Sequence, residues 1–279
     1  AANIGSVGVA TFNQTGGTFT LTTGPVTNGA GAGSVGVINL SGSAVYNHNS
    51  TTNNAIWLGE NGTGVMDAAG AAALTLPNNG VELGKGNVAT AAGALNLLGG
   101  SVTANYVSKP GAAATGRLTF NGGTLTANAA SATFLTGLTS ARVHSGGGTI
   151  NNGGNAITIG QALEAPAGNG VSATGLVASG SGFIDTPIVT ITGDGNGATA
   201  VANIDASGNL TGITVTSPGA GYTTPPTFAL AGGGIGNTGS ITGSASLVAN
   251  TSGGMTFSGA AVTTLTGVNT YTGNTTINS

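Results

Sequence analysis

Short runs of alternating apolar and polar residues recur along the chain, each bounded by glycine or asparagine. They include Thr18-Phe19-Thr20-Leu21, Leu74-Thr75-Leu76, Leu95-Asn96-Leu97 and Leu118-Thr119-Phe120. Alternation with a period of two residues is typical of a strand with one buried face, and glycine and asparagine favour turns. The pattern therefore predicts many short β-strands and offers little material for helices.

Several stretches of the chain are near-copies of an earlier stretch. The copies follow at shifts of 23, 25 and 28 residues, and self-similarity of this kind is typical of stacked repeat architectures. The pairs are 97–105 with 120–128, 56–60 with 81–85, and 5–9 with 33–37. We therefore predict an all-β fold, a parallel β-helix or β-solenoid, with about six coils between residue 1 and residue 165. The Gly-Gly pairs near 16, 99, 122 and 146 would mark equivalent corners.

The second repeat pair, 56–60 with 81–85, predicts which side chains point into the coil and which point outward. It places Ile56 and Leu58 inside the coil, next to the equivalent apolar residues of 81–83, with Trp57 and Glu82 outside. It also places Glu60 beside Lys85. An exposed ion pair of this kind would contribute at most about 1 kcal/mol.

A different repeat lies between residues 182 and 232. The pattern Gly182-Phe183, Pro187 and 191–193 returns 39 residues later, and 205–209 between two apolar stretches is a hairpin signal. These copies resemble the GsGYtsaPtvtisG units of large extracellular and fibre proteins. We predict solenoid coils over 1–175, a duplicated small β module inserted over 176–234, and C-terminal coils over 235–279.

The run from Leu265 to Asn278, LTGVNTYTGNTTIN, resembles the autotransporter-associated β-strand repeat over about fifteen residues. More loosely, residues 1–165 resemble repeats in large surface proteins of planctomycete and verrucomicrobial type. The resemblance implies a passenger-like, exported, right-handed β-helix at the exterior or cell surface of a bacterium. It implies no catalytic residue, because the motif contains none.

Composition narrows the possible partners. Only 4% of the 279 residues are charged, with 4 Lys and Arg against 7 Asp and Glu, and there is no cysteine. Four cations cannot form the basic surface that nucleic acid requires, and no apolar run of 18 residues is present to insert into a membrane. A surface this poor in charge favours association with other molecules, and disulfides and thiolate metal sites are excluded.

Candidate chemistry is sparse, and we expect neither an enzyme nor a cofactor. A polysaccharide-degrading β-helix enzyme, the least favoured alternative, needs two or three acids on one face, and only Glu60 and Glu82 lie about one coil apart. His48 is expected in a solvent-facing polar loop, and His144 at a corner. The turn that begins at Asp194 resembles a calcium loop only faintly.

Two surface features suggest other ligands. Tyr46 and Trp57 could form a sugar-stacking patch, although covering corners of the coil is the favoured interpretation. Thr-x-Thr runs suggest ice binding, which needs a regular flat ladder of threonines. The unequal shifts of 23, 25 and 28 residues argue against such a ladder.

Neither 1–9 nor 264–279 contains a charge, and both resemble coil rather than cap. We therefore expect a structural subunit that assembles head to tail with itself, in an extracellular filament, sheath or surface layer. The alternative is an adhesin whose duplicated module binds cell-surface glycans. The predicted assembly residues are Ile4, Val7, Val9, Leu265, Val268, Tyr271 and Ile277.

Overall fold

The structure is a computed structural model that describes residues 2–51 and 54–278. These residues form 31 β-strands, numbered β1 to β31 in chain order, and no helix. The chain divides into two compact units. The first comprises Ala1–Gly8, Phe12–Ala165 and Ser252–Ser279, and the second comprises Val9–Thr11 and Pro166–Thr251.

Three parallel sheets build the first unit. Every pairing described within them is parallel. From β1 to β20, consecutive strands belong to successive sheets, and β1 to β18 complete six turns. The chain therefore winds as a β-solenoid, and the predicted all-β solenoid is confirmed.

The strands of each sheet follow in the order of their pairing. Sheet A contains β1 (Ala2–Ile4), β4 (Val26–Asn28), β7 (Ile56–Leu58), β10 (Val81–Leu83), β13 (Val107–Ser108), β16 (Ser131–Thr136), β19 (Ile157–Ile159) and β30 (Thr263–Leu265). Sheet B contains β2 (Val9–Gln14), β5 (Val35–Leu40), β8 (Thr63–Ala69), β11 (Ala92–Leu98), β14 (Thr115–Phe120), β17 (Ser140–Val143) and β20 (Leu163–Glu164). Sheet C contains β3 (Thr18–Leu21), β6 (Val45–His48), β9 (Ala73–Thr75), β12 (Ser101–Ala104), β15 (Thr124–Ala127), β18 (Gly148–Asn151), β29 (Met255–Ser258) and β31 (Thr275–Asn278).

Inward residues stack in register into columns that form one continuous apolar core. The column of sheet C consists of Phe19, Tyr46, Leu74, Val102, Leu125, Ile150, Phe257 and Ile277. Because each coil buries its apolar residues against the coil on either side, a short strand gains stability only from its neighbours.

Glycine lets the chain turn sharply between sheets A and B. Gly59 follows β7 with a φ of 72°, and a Cβ at this position would lie 2.1 Å from the carbonyl oxygen of Ala92 in the next coil. Gly29 and Gly84 occupy the equivalent positions after β4 and β10, also with positive φ. Only glycine combines this backbone conformation with so close an approach.

The register predicted from the second repeat is confirmed. Val81 pairs with Ile56 and Leu83 with Leu58, all four side chains are buried, and Glu82 lies beside Trp57 on the outer face. Backbone hydrogen bonds also join the two corners, from Lys85 N–H to the Gly59 carbonyl at 3.0 Å and from Gly86 N–H to the Glu60 carbonyl at 2.6 Å. The predicted ion pair with Glu60 is wrong, because the described ion pair of Lys85 is with Glu82, at 3.1 Å from Nζ to Oε2. Lys85 lies only three residues after Glu82, so the local partner is in easy reach.

The Gly-Gly pairs do occupy one corner. Those at 16, 99, 122 and 146 all precede a strand of sheet C, and the backbones of successive corners are hydrogen-bonded to each other, as in Gly122 N–H to the Gly147 carbonyl at 2.7 Å.

The second unit is antiparallel. Its main sheet contains β23 (Ile188–Thr192), β24 (Asn196–Ile204), β25 (Leu210–Ala220) and β26 (Thr227–Ala231). Two strand pairs flank this sheet in sequence, β21 (Asn169–Ser172) with β28 (Ser246–Ala249) and β22 (Leu176–Ser179) with β27 (Ser240–Gly243). The unit has its own core around Phe183, Val189 and Leu210.

The two copies of the 39-residue repeat meet in this unit. β23 pairs with β26, with Ile191 opposite Phe228, and 205–209 forms the predicted hairpin turn between β24 and β25. The unit extends from Pro166 to Thr251, beyond the predicted 176–234, because the flanking strand pairs lie outside the repeat.

Candidate functional site

The N-terminal end of the solenoid presents unpaired strand edges. Among the described strands, β1, β2 and β3 each pair with one neighbour only. Val7, between β1 and β2, is 94% exposed. Val9, the first residue of β2, is grouped with the second unit and is exposed to a smaller extent. Ile4 is half-buried against the core, as are Phe12, Phe19 and Leu21. The N-terminal end of the solenoid therefore combines unpaired backbone N–H and C=O groups with apolar side chains that are only partly buried.

The C-terminal end has the same character. In the described part of the chain, β30 and β31 are the last strands of sheets A and C. Sheet B ends differently, because the backbone N–H of Thr270 donates to the Leu163 carbonyl of β20 at 2.9 Å. Val268 and Ile277 are 82% and 79% exposed. An open cavity of about 190 Å³ reaches the core there, between Phe257, Ile277 and neighbouring residues.

The remaining predicted assembly residues, Leu265 and Tyr271, also lie at this end. Leu265 is exposed, and Tyr271 is half-buried with its hydroxyl 2.6 Å from Thr275 Oγ1. Val262, which precedes β30 and is not among the predicted assembly residues, is 68% exposed. Ala1 and Ser279, the outermost residues of the two predicted end segments, lie outside the described residues.

Charge is absent from both ends of the sequence. No Asp, Glu, Lys or Arg precedes Glu60 or follows Asp205. Natural sheets commonly protect their edges with charged side chains, proline or a covering segment. The strands β1 to β3, β30 and β31 carry no charge and no proline, so these edges remain suited to pairing with another strand.

A polar cluster lies on the outer face of sheet A. Lys85 Nζ lies 3.5 Å from the centre of the Trp57 ring and 3.1 Å from Glu82 Oε2, and the Tyr106 hydroxyl donates to Glu82 Oε1 at 3.2 Å. Burial and the negative charge of Glu82 raise the pKa of Tyr106 to about 12. The Glu82 carboxylate is thus held between the Lys85 ammonium group and the Tyr106 hydroxyl, and both contacts restrict its side-chain conformation.

The suggested aromatic patch does not form. Tyr46 is buried in the core, with its ring 5.9 Å from that of Phe12 and 5.0 Å from that of Phe19, while Trp57 lies under Lys85. Burial raises the pKa of Tyr46 to about 12.

The other acids have separate local roles. Asp67 is buried and accepts a hydrogen bond of 2.7 Å from Asn96. Asp194 accepts hydrogen bonds from Thr223 and Thr224 in the second unit, and these lower the pKa of its carboxyl. Within residues 2–51 and 54–278, no three His, Asp or Glu side chains are grouped so as to hold a metal ion.

Both histidines lie inside the first unit. His48 is fully buried at the end of β6, with Nε2 2.9 Å from the Gly24 carbonyl oxygen, so the predicted solvent-facing loop is wrong. His144 is also buried, and its Nε2 has no protein partner among the described residues. Burial, together with the nearby Arg142, lowers the pKa of His144 to about 4.

No described helix is long and apolar enough to cross a membrane. Comparison with known families, with curated proteins and with solved structures gave no match.

Proposed function

We propose that this protein is a structural, non-enzymatic subunit that assembles head to tail through the ends of its β-solenoid, at the exterior of a bacterial cell. The observation that carries the proposal is the combination of unpaired strand edges, exposed apolar side chains and missing charge at both ends of the first unit.

The edges at the two ends match in length. In sheet A, β30 and β1 each have three residues. In sheet C, β31 and β3 each have four, of which three pair when 276–278 align with 18–20 in the register of the columns. Parallel pairing of β30 with β1 and of β31 with β3 of a second copy would continue both sheets across the contact. Such a contact is heterologous and repeats without closing, which produces a filament.

The core would also continue through the contact. Ile277 ends the inward column of sheet C and is 79% exposed, while Phe19 begins the same column and is half-buried. If the register is maintained, Ile277 of one copy covers Phe19 of the next. Main-chain hydrogen bonds and apolar burial would then act together, as they do between coils of one chain.

The proposed location rests on composition and on resemblance. A chain with 4% charged residues and no cysteine suits an extracellular matrix in which association is useful. The likeness of 265–278 to the autotransporter-associated repeat agrees with export.

Electron microscopy of the purified chain at increasing concentrations tests the proposal. We expect unbranched threads with an axial repeat of roughly 40 Å, since sheets A and C each contain eight strands, which stack at about 4.8 Å per strand. Isolated rods at every concentration would refute head-to-tail assembly. Rods that bind glycans through the second unit would instead support an adhesin.

A further inference from the structure

The outer face of sheet C carries two regular columns of small, uncharged side chains. Nine of the sixteen outward positions are threonine, two are serine and three are asparagine. The first column is Thr18, Val45, Ala73, Ser101, Thr124, Thr149, Thr256 and Thr276; the second is Thr20, Asn47, Thr75, Thr103, Thr126, Asn151, Ser258 and Asn278. All sixteen side chains are exposed or half-exposed.

The columns stay in register along the whole sheet. None of the seven pairings in sheet C contains a register shift, whereas sheet A is irregular between Ser131 and Leu135. The coils differ in length, and this difference was the argument against a threonine ladder. The extra residues lie in the corners between sheets and do not disturb the register of sheet C. The corner from sheet B to sheet C has two to four residues in the first six coils, and that from sheet A to sheet B has three to eight.

The threonine hydroxyls of this face are available to an external partner. In the described structure, none of the nine makes a hydrogen bond to the protein. On other sheets, several polar side chains form hydrogen bonds within the protein. In sheet B, Asn39 donates to Asn13 and Asn96 donates to Asp67, both at 2.7 Å, and in the second unit Thr199 and Thr216 bond to each other.

The distances between the threonine side chains restrict which partner surfaces can bind to the whole array. Neighbouring threonines lie about 4.8 Å apart along a column and about 6.6 Å apart across the columns, from the strand separation and twice the rise per residue. The distance along a column is close to the shorter oxygen repeat of hexagonal ice, and the distance across the columns is somewhat below the longer repeat of the same crystal face. A partner that matches the whole array must itself be ordered in two dimensions.

The side-chain chemistry favours a water lattice over a polysaccharide. Carbohydrate surfaces are commonly bound by stacking on aromatic rings, and no aromatic side chain occupies any of the sixteen positions. No charged side chain occupies them either. A charge would hold its own hydration shell and disturb ordered water, while threonine combines a hydroxyl with a methyl group that fixes its rotamer.

We propose that the outer face of sheet C binds a plane of ice through this hydroxyl array. The inference is independent of head-to-tail assembly, because it concerns the side of the solenoid and not its ends.

Thr126→Lys places a long charged side chain in the middle of the array, and Thr158→Lys provides the control. Thr158 lies on β19 of sheet A and is half-exposed, as is Thr126. Thermal hysteresis and the shape of growing ice crystals would be recorded for the full chain and both variants. We expect faceted crystals and a freezing gap for the wild type and for Thr158→Lys, and loss of both effects for Thr126→Lys.

Unfolding curves recorded for all three proteins show whether each variant is folded. Disc-shaped crystals without a freezing gap in the wild type would overturn the proposal, as would equal activity in the two variants. Should Thr126→Lys fail to fold, Thr103→Lys would take its place on the same column. Binding to microcrystalline cellulose or chitin that is lost only in Thr126→Lys, without any effect on ice, would assign the face to a polysaccharide and also overturn the proposal.

Discussion

Ile277 offers the sharpest test of head-to-tail assembly. Its side chain continues the inward column after Phe257, yet 79% of it is exposed because no described strand follows β31. Replacement by aspartate removes an apolar contact from the proposed interface and places a charge on an edge strand. Because the side chain is already exposed, the fold of the single subunit should be little affected.

The expected size of the effect follows from burial. Burying an isoleucine side chain contributes about 1.5 to 3 kcal/mol, so loss of Ile277 should weaken each subunit contact by about 2 kcal/mol. Each 1.4 kcal/mol changes an equilibrium constant about tenfold. The critical concentration for assembly should therefore rise by at least about thirtyfold, and further because the buried carboxylate loses its hydration.

Light scattering against protein concentration measures this change directly. Ile235→Asp is the matched control, because Ile235 lies in the second unit and is 99% exposed. Both variants acquire the same charge, so an equal change in both would reflect net charge alone. An unchanged critical concentration for Ile277→Asp, in a protein that does form threads, would refute the contact between Ile277 and Phe19.

Three further predictions concern stability. Gly59→Ala should destabilise the protein by at least about 2 kcal/mol more than Gly17→Ala in urea unfolding, since both have φ near 70° but only Gly59 closely approaches another backbone. The pKa of His144 is lowered from 6.5 to about 4, so the unfolded chain binds the proton first and stability falls as pH decreases through that interval. His144→Leu should remove about 3 kcal/mol of the decrease between pH 7 and pH 4, measured by unfolding at each pH. Lys85→Ala should cost at most about 1 kcal/mol and shift the fluorescence of Trp57 to longer wavelength, whereas Lys109→Ala leaves the emission unchanged.

The sequence predicts the solenoid because its repeats encode the contacts between coils. Ile56 and Val81 occupy the same position in two copies, and they are direct neighbours in sheet A. An inward residue meets its own counterpart in the next coil, so self-similarity gives the register without further information. The Gly-Gly pairs also recur at equivalent positions of the repeats, so the sequence alone predicts that they occupy the same corner of successive coils.

The repeats could not predict features that depend on how the chain runs from one strand to the next. His48 follows an asparagine in a polar stretch, yet it continues the alternation of β6 and so points inward. The threonine columns were hidden by coil length, since only the structure shows which corners absorb the extra residues. The exposed edges at both ends depend on pairing, and a single sequence indicates them only through missing charge.

The insertion between β20 and β29 affects how the chain can fold. Asn152 donates hydrogen bonds to the carbonyls of Gly259 and Ala261, which lie 107 and 109 residues later in the chain. Closing so long a loop costs entropy, and such non-local contacts slow folding. The pairs β21 with β28 and β22 with β27 bring the two ends of the intervening segment together. Early folding of this segment would therefore shorten the effective loop, and we expect the last two strands of sheet C to add to the solenoid only after it.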